Sequence, residues 1–484
     1  MSFESIIFSL SFIAPMLASL LIFLFGKKGV IKEGISFFAI ILSVISTSSY
    51  WNYMTLNNNA LLLYEESFYI DGFSILMQFM VEAVALLVIS YSARYIKKLY
   101  FHKKEKFHVY YSVILLSTGF MNLAFILNNL FWVYITLELS SILAVYLIVF
   151  NLNKATLKAG FKYLIFVNVG ILFSLLGIIL LFYATGKPVM INNIGQAVSN
   201  LPYTIALICA VLFIIGFFTK SGLIPFHLWL PDAYAEAPSA VTVFLAGAVT
   251  KMGFYGLART VTIFAFHYEE IKILVIILAA LSMLLGALLA FNQKDIKKLI
   301  AYCSISEMGF IGAALALKSY EGIFGGVFQI VNHTLIKGVL FFSVGAIIYA
   351  CGTRKIEEIK ESIGKIPVIG ITFFIGALAV GGMPLFASFL SSITIFLALA
   401  KEFLWASVIL IFAEFISVIA LLKTAIYIFW QKNEHNKAQK SFIPFTIIFC
   451  TLICAVLIIL FGIYPEIIYP LIDSATRGII KIAG

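Results

Sequence analysis

The sequence predicts an all-α polytopic membrane protein with about fourteen transmembrane helices, and three observations carry that prediction. Of the 484 residues, 62% are hydrophobic and only 12% charged, with a mean hydropathy of +1.06, a balance no water-soluble domain keeps. The apolar residues fall into runs near or above the ~20 residues that cross a bilayer. The excess positive charge, a net +10, sits between alternate runs instead of forming a stripe or a tail, which reports topology and argues against a nucleic-acid surface.

In order, spans 1 to 3 cover 5–26, 34–54 and 71–93. Spans 4 to 8 cover 108–127, 129–150, 159–184, 203–222 and 239–262, and spans 9 to 13 cover 271–291, 296–316, 322–350, 367–396 and 402–430. Span 14 is 442–463. Lysine and arginine follow the odd-numbered spans: Lys27, Lys28 and Lys32; Lys97, Lys98, Lys103, Lys104 and Lys106; Lys154 and Lys158; Lys294, Lys297 and Lys298; Arg354, Lys355, Lys360 and Lys365; Lys432, Lys437 and Lys440. The loops between, such as 51–71, are nearly free of them, so the positive-inside rule places both termini outside the cytoplasm. The N-terminus carries neither a cationic leader nor a cleavage site, and span 1 is expected to stay in the mature protein.

Two spans are interrupted. Gly222 and Pro225 break the end of span 7, and Gly381, Gly382, Met383 and Pro384 break span 12, five spans later. Paired breaks in corresponding positions point to an inverted-repeat transporter, since an odd number of spans per unit turns the second copy over. The expected organisation is spans 1–3 in 1–107, a first five-helix repeat in 108–262, a second, inverted repeat in 263–430, and a C-terminal span and tail in 431–484. A kink made only for packing is the plainer alternative.

Charges inside the spans are the functional signal. An ammonium or carboxylate at bilayer depth costs roughly 2.5 to 3.5 kcal/mol on insertion scales, so such groups are kept mainly where ions or protons are handled. Glu138 stands alone in span 5 and needs a partner, for which Lys220, at the end of span 7, is the first candidate. An opposite charge holds both ionised, and separating the pair would discharge the lysine. A static salt bridge would use the same residues. Lys251 lies midway along span 8 among small residues that leave room for water. His333 and Lys337, four residues apart, share a face of span 11, and an imidazole beside a desolvated lysine can pass protons near neutral pH. Glu307 in span 10, Glu414 and Lys423 in span 13, and Glu82 in span 3 extend the series with weaker claims.

Other chemistry finds no support. Cys209, Cys303, Cys351, Cys450 and Cys454 show no paired spacing and read as small buried hydrophobes. The loop Ile224–Ser239 contains His227, Asp232 and Glu236, but their spacing fits no metal-ligand pattern, and an ordered cap over the broken helix is the better reading. No glycine-rich phosphate loop or dinucleotide fingerprint is present. No cofactor or metal is expected in this chain, and any redox group belongs to a neighbour.

The segment from Lys220-Ser-Gly-Leu-Ile-Pro-Phe-His-Leu-Trp-Leu-Pro-Asp-Ala-Tyr-Ala-Glu-Ala to Pro238, followed by Lys251-Met-Gly-Phe-Tyr-Gly-Leu-Ala-Arg259, resembles the signature of the proton-pumping, antiporter-like membrane subunits of respiratory complex I. The same family includes the large subunits of Mrp sodium/proton antiporters and the membrane arms of energy-converting hydrogenases and related ferredoxin-linked complexes. Asp295–Phe310 and Asn332–Phe342 resemble two further family blocks. The resemblance implies that Glu138 and Lys220 are a switch pair, Lys251 a connecting lysine, and His333 with Lys337 the relay of the second half. Two positions depart from the pattern. Glu307 stands where many relatives have His or Gln, and Ser388-Phe-Leu-Ser-Ser392 carries no charge where many have a terminal lysine or glutamate. Lys423 or Glu414 is then the candidate exit, or the path is incomplete. A lysine at the position of Lys423 is reminiscent of the hydrogenase branch.

These readings converge on a plasma-membrane subunit of a prokaryote that moves protons, or exchanges sodium for protons, within a complex of other membrane subunits and peripheral redox partners. A stand-alone Mrp-type antiporter subunit, a carrier of an organic solute and a structural copy are the rivals; a solute carrier should line its site with substrate-shaped polar groups instead of a file of titratable ones.

Overall fold

Inside a bilayer each backbone amide must find its partner within its own segment, and the chain is helical almost throughout. The computed structural model describes residues 3–26, 31–57, 60–363, 366–430 and 442–484. Lys27, Lys28, Lys365, Lys432, Lys437 and Lys440, used above for topology, lie outside the described residues.

Spans 1 to 7 are the helices Phe3–Phe25, Ile31–Asn57, Gly72–Leu99, Phe107–Ile126, Leu130–Ile148, Lys154–Thr185 and Tyr203–Ser221. Span 8 runs over Ser239–His267 with two irregular turns. Spans 9 to 11, 13 and 14 are Glu269–Phe291, Ile296–Ala316, Tyr320–Cys351, Leu404–Phe429 and Phe445–Ile463. Among the described residues thirteen helices are long and apolar enough to cross a membrane. The remaining expected span, span 12, is divided into Pro367–Val380 and Ala387–Glu402 by the break at Gly381–Phe386, which is why neither half qualifies alone.

Polar residues at the helix starts satisfy amides that have no partner inside the helix. Asn153 and Thr156 form a reciprocal cap on span 6, while Asp295 accepts from the amides of Lys297 and Lys298 at the start of span 10. Asp71 accepts from the amide of Ser74 at the start of span 3 and also binds Arg259 of span 8 through two hydrogen bonds of 2.6 and 2.7 Å. Both partners are fully buried.

Two elements were not anticipated. Leu61–Leu63 and Phe68–Ile70 form a small antiparallel hairpin between spans 2 and 3. The tail after span 14 is a helix, Tyr469–Ala483, packed against spans 3 and 11; its apolar residues recur at helical spacing (Ile472, Ala475, Ile479, Ile482) and are buried.

The basic loops gather on one face. Lys98 donates to the carbonyl of Tyr349 at 3.2 Å and Arg354 pairs with Asp295 at 2.7 Å, so the loops after spans 3, 9 and 11 meet there. Asp232, in the short helix Leu230–Glu236, is gripped by Lys162 at 2.8 Å and Lys298 at 2.9 Å, while Arg354 also holds Glu236. Burial raises the Asp232 pKa, but the two lysine hydrogen bonds outweigh it and hold the carboxyl below its ordinary value of 3.8.

Two outcomes are expected. Asp71→Asn or Arg259→Leu leaves one buried charge stranded, a loss of about 3–5 kcal/mol, so either change should lower the unfolding temperature of the solubilised protein well beyond what an exposed pair such as Arg477 with Asp473 would. Because the folded pKa of Asp232 is depressed, its contribution is complete above 3.8 and lost as pH falls through the folded value. Proteolysis of the 224–238 loop should therefore stay flat across neutral pH and rise only below the ordinary carboxylate range; a rise near pH 6 would assign the anchoring to another group.

Candidate functional site

The two breaks lay backbone open at membrane depth, and side chains meet it. At the first, Gly222 takes φ +75°, a conformation that β-carbon-bearing residues rarely adopt. The amide of Leu223 reaches the Phe218 carbonyl at 2.9 Å, and that of Ile224 reaches the Ser282 hydroxyl at 3.0 Å. Trp229, buried, donates its ring N–H to the Thr219 carbonyl at 2.9 Å. The loop after this break is thus a lid on the broken end, and His227, Asp232 and Glu236 serve different neighbours. Pro225 lies within this break. At the second, Gly382 takes φ +55°, Pro384 comes two residues later, the Ser388 hydroxyl donates to the Ala379 carbonyl at 2.6 Å, and the Asn332 amide to Ala387 at 3.1 Å.

Lys220 and Lys251 are set by these irregularities. Lys220 is two residues before Gly222, buried, with its ammonium on the hydroxyl of Ser141. Ser141 stands one turn beyond Glu138 in span 5. Glu138 and Lys220 interact through space, as expected of partners, but no ion pair or hydrogen bond joins them directly: the ammonium is held by Ser141, and the half-buried carboxylate keeps one oxygen with no hydrogen-bond partner. In span 8 the Thr250 amide bonds the carbonyl of Leu245, five residues back, at 3.0 Å. This widened turn, a kind frequent at functional sites, directly precedes Lys251. Gly253 lets span 8 approach the break, since a β-carbon there would overlap the Ser221 hydroxyl and stand 2.7 Å from the Ser221 nitrogen.

Lys251 then reaches across to the second half. Its Nζ lies 2.6 Å from Nδ1 of His333, both fully buried. Two positive charges cannot share that distance in a low-dielectric interior, so the pair holds at most one. One turn further along span 11, Lys337 pairs with Glu307 of span 10 at 2.6 Å, also fully buried. His333 and Lys337 thus share a face as expected, but each is bonded to a different helix, not to the other. The remaining nitrogen of His333 and the second oxygen of Glu307 have no protein partner.

Glu414 is the titratable group beside the second break. It faces the second break from span 13, accepts a hydrogen bond from the Ser392 hydroxyl, and interacts through space with Glu307. The charge absent from Ser388–Ser392 is supplied from the neighbouring helix. Lys423, nine residues beyond Glu414, is not on the file: it is exposed, stacks 5.0 Å from the Phe291 ring, and lines an outer groove of about 650 Å³ with Lys294, Lys355, Glu357 and Glu358. Of the two expected candidates, the structure brings Glu414 to the second break and leaves Lys423 outside it.

Sequence reasoning overlooked the Asp71–Arg259 pair and the contact of Lys220 with the Ser141 hydroxyl. The first had a signal, an arginine closing an apolar run, where a charge is as costly as that of a lysine. Among the described residues no group of three or more His, Cys, Asp or Glu is placed to hold a metal ion.

Comparisons with known proteins agree with this architecture. The profile of the family described as "NADH:quinone oxidoreductase/Mrp antiporter, TM" matches residues 128–419. A Na(+)/H(+) antiporter subunit of Alkalihalophilus pseudofirmus is 28% identical over 445 residues, 90% of this chain and 89% of the relative. A putative antiporter subunit of Staphylococcus aureus is 29% identical over 380 residues, 78% and 76%. A chain of the membrane-bound sulfane sulfur reductase, an archaeal respiratory membrane complex, superposes with a TM-score of 0.88 at 25% identity, covering 99% of this chain and 98% of that one. A chain of the Mrp complex from Dietzia sp. DQ12-45-1b gives 0.87 at 19% identity, with full coverage of both.

Glu414→Gln is expected to cut ion flux through the assembled complex by roughly 10²-fold, the scale of a lost proton-transfer group, while Lys423→Met leaves it near wild type. Flux into sealed vesicles measures both; the reverse order would return the exit to Lys423.

Proposed function

Because the chain belongs to the NADH:quinone oxidoreductase/Mrp antiporter transmembrane family, an antiporter-like group of ion-translocating membrane subunits, we propose that it conducts protons through two half-channels within a redox-driven respiratory complex. The observation that carries this reading is the 2.6 Å contact between Lys251 and His333. It joins a first group, Glu138, Ser141 and Lys220, to a second, Lys337, Glu307 and Glu414, and each group contains a buried acceptor atom with no protein partner, where a water can extend the file.

Spans 4–8 and 9–13 are the two inverted repeats in this proposal, supported by a break in the fourth helix of each. The lysine-bearing loops face the cytoplasm of a prokaryotic cell and both termini lie outside it. Redox coupling draws support from the 25% identity to a chain of an archaeal respiratory membrane complex over 99% of this one. The neighbours are then other membrane subunits, with the redox groups on peripheral chains. A second reading, a sodium/proton antiporter driven by ion gradients alone, is favoured by the antiporter subunits among its relatives.

Glu138→Gln and Lys220→Ala should each abolish most ion flux while leaving the complex assembled, as judged by co-purification. Wild-type flux from both variants would remove them from the path. The driving force separates the two readings: flux that starts only when an electron donor is added supports the redox-driven complex, and flux that tracks an imposed sodium gradient without a donor supports the antiporter.

A further inference from the structure

We propose that spans 1 to 4 hold a second ion site, away from the Lys251 file, in which Glu82 and Asn122 bind one sodium ion. Glu82 is the eleventh residue of span 3, about 15 Å from the start of that helix at ~1.5 Å per residue, and it is fully buried. Asp71 has Arg259 and Glu307 has Lys337, but no cationic side chain among the described residues pairs with Glu82. A carboxylate at bilayer depth requires compensation.

Its surroundings supply oxygen in excess of hydrogen. Oε1 of Glu82 takes Ser43 Oγ at 2.7 Å, Thr47 Oγ1 at 2.9 Å and Asn122 Nδ2 at 3.0 Å. Ser43 has a single hydroxyl hydrogen, yet the Ser11 carbonyl stands 2.5 Å from the same Oγ, and Thr47 is likewise within reach of the Ser43 carbonyl at 3.2 Å. Oε2 of Glu82 and Oδ1 of Asn122, each belonging to a residue of this cluster, are buried with no hydrogen-bond partner. Turning the Asn122 amide over does not repair this, because its oxygen would then face the Ser11 carbonyl, which Nδ2 now approaches at 2.8 Å. The cluster is short of one positive charge and leaves two acceptor atoms unserved.

The donor set selects the ion. Carboxylate, amide, hydroxyl and carbonyl oxygens without imidazole or thiolate suit hard cations and not zinc or copper. A single carboxylate neutralises a single charge; a divalent ion would leave net charge buried in a low-dielectric core. A small monovalent cation, sodium, meets both conditions. Glu138, Lys220, Lys251, His333, Lys337, Glu307 and Glu414 lie on other spans, so the site stands apart from the proposed proton path.

Equilibrium binding of radioactive sodium to the intact complex, in lipid nanodiscs and choline buffer, tests the proposal. Wild type should bind one more sodium per chain than Glu82→Gln, Asn122→Leu should weaken this binding at least tenfold, and Lys251→Met should keep it. Loss in Lys251→Met would tie the ion to the proton file and overturn a separate site. Sodium should raise the unfolding temperature of wild type saturably and that of Glu82→Gln not at all. Should Glu82→Gln fail to assemble, Asn122→Leu and the infrared spectrum of wild type decide: sodium is expected to remove the C=O stretch of a protonated carboxyl group. A protonated-carboxyl stretch with no component removed by saturating sodium would show that sodium does not replace a proton at Glu82, and equal sodium binding in wild type and both variants would equally overturn the site.

Discussion

The structure depends on one constraint: an ammonium carried into a membrane core must stay within a bond of something that accepts its proton or balances its charge. Lys220 rests on Ser141, Lys251 on His333 and Lys337 on Glu307. Each acceptor comes from a different helix from its lysine, so the packing of spans 5, 7, 8, 10 and 11 is fixed as much by these contacts as by apolar surface. Between helices that face lipid the hydrophobic effect offers little, and close approach and buried polar contacts must specify the arrangement.

That arrangement needs backbone irregularity at defined places. A regular span 8 would bond the Thr250 amide to its own fourth neighbour; reaching Leu245 instead rotates the later part of the span, Lys251 included, relative to the earlier part. Ending span 7 in a left-handed glycine leaves Lys220 in the final turn, where the helix carbonyls carry partial negative charge that favours an ammonium. The broken ends are tolerable because Ser282 and Trp229 bond the freed backbone at the first, and Ser388 and Asn332 at the second.

Much of this was legible in the sequence, because apolar length and charge inside a span are local signals. The spans, both breaks, and Lys220, Lys251, His333 and Lys337 as buried polar residues could be read that way. Partner choice could not. Glu138 is a lone carboxylate in its span and Lys220 the first candidate partner, yet a serine one turn along span 5 takes the ammonium. Nothing local distinguishes Lys423 from Glu414 either: both lie in span 13, nine residues apart, and only the orientation of that helix turns Glu414 toward the break and Lys423 outward. The wider turn before Lys251 has no compositional mark at all. Arg259 did have one and was passed over, since an arginine closing a span looks like an interface anchor until Asp71 is seen opposite.

The Lys251–His333 contact is also where the two halves constrain each other. With one proton between two nitrogens at 2.6 Å, charging one base excludes charging the other. Movement of that proton toward His333 brings positive charge to span 11, one turn from the Lys337–Glu307 ion pair; movement toward Lys251 takes it to span 8. In the proposed path the shared proton and the second-half ion pair are thus neighbours on one helix and can influence one another through space. A static arrangement would need no such adjacency, because either lysine could be neutralised by a carboxylate of its own, as Lys337 already is.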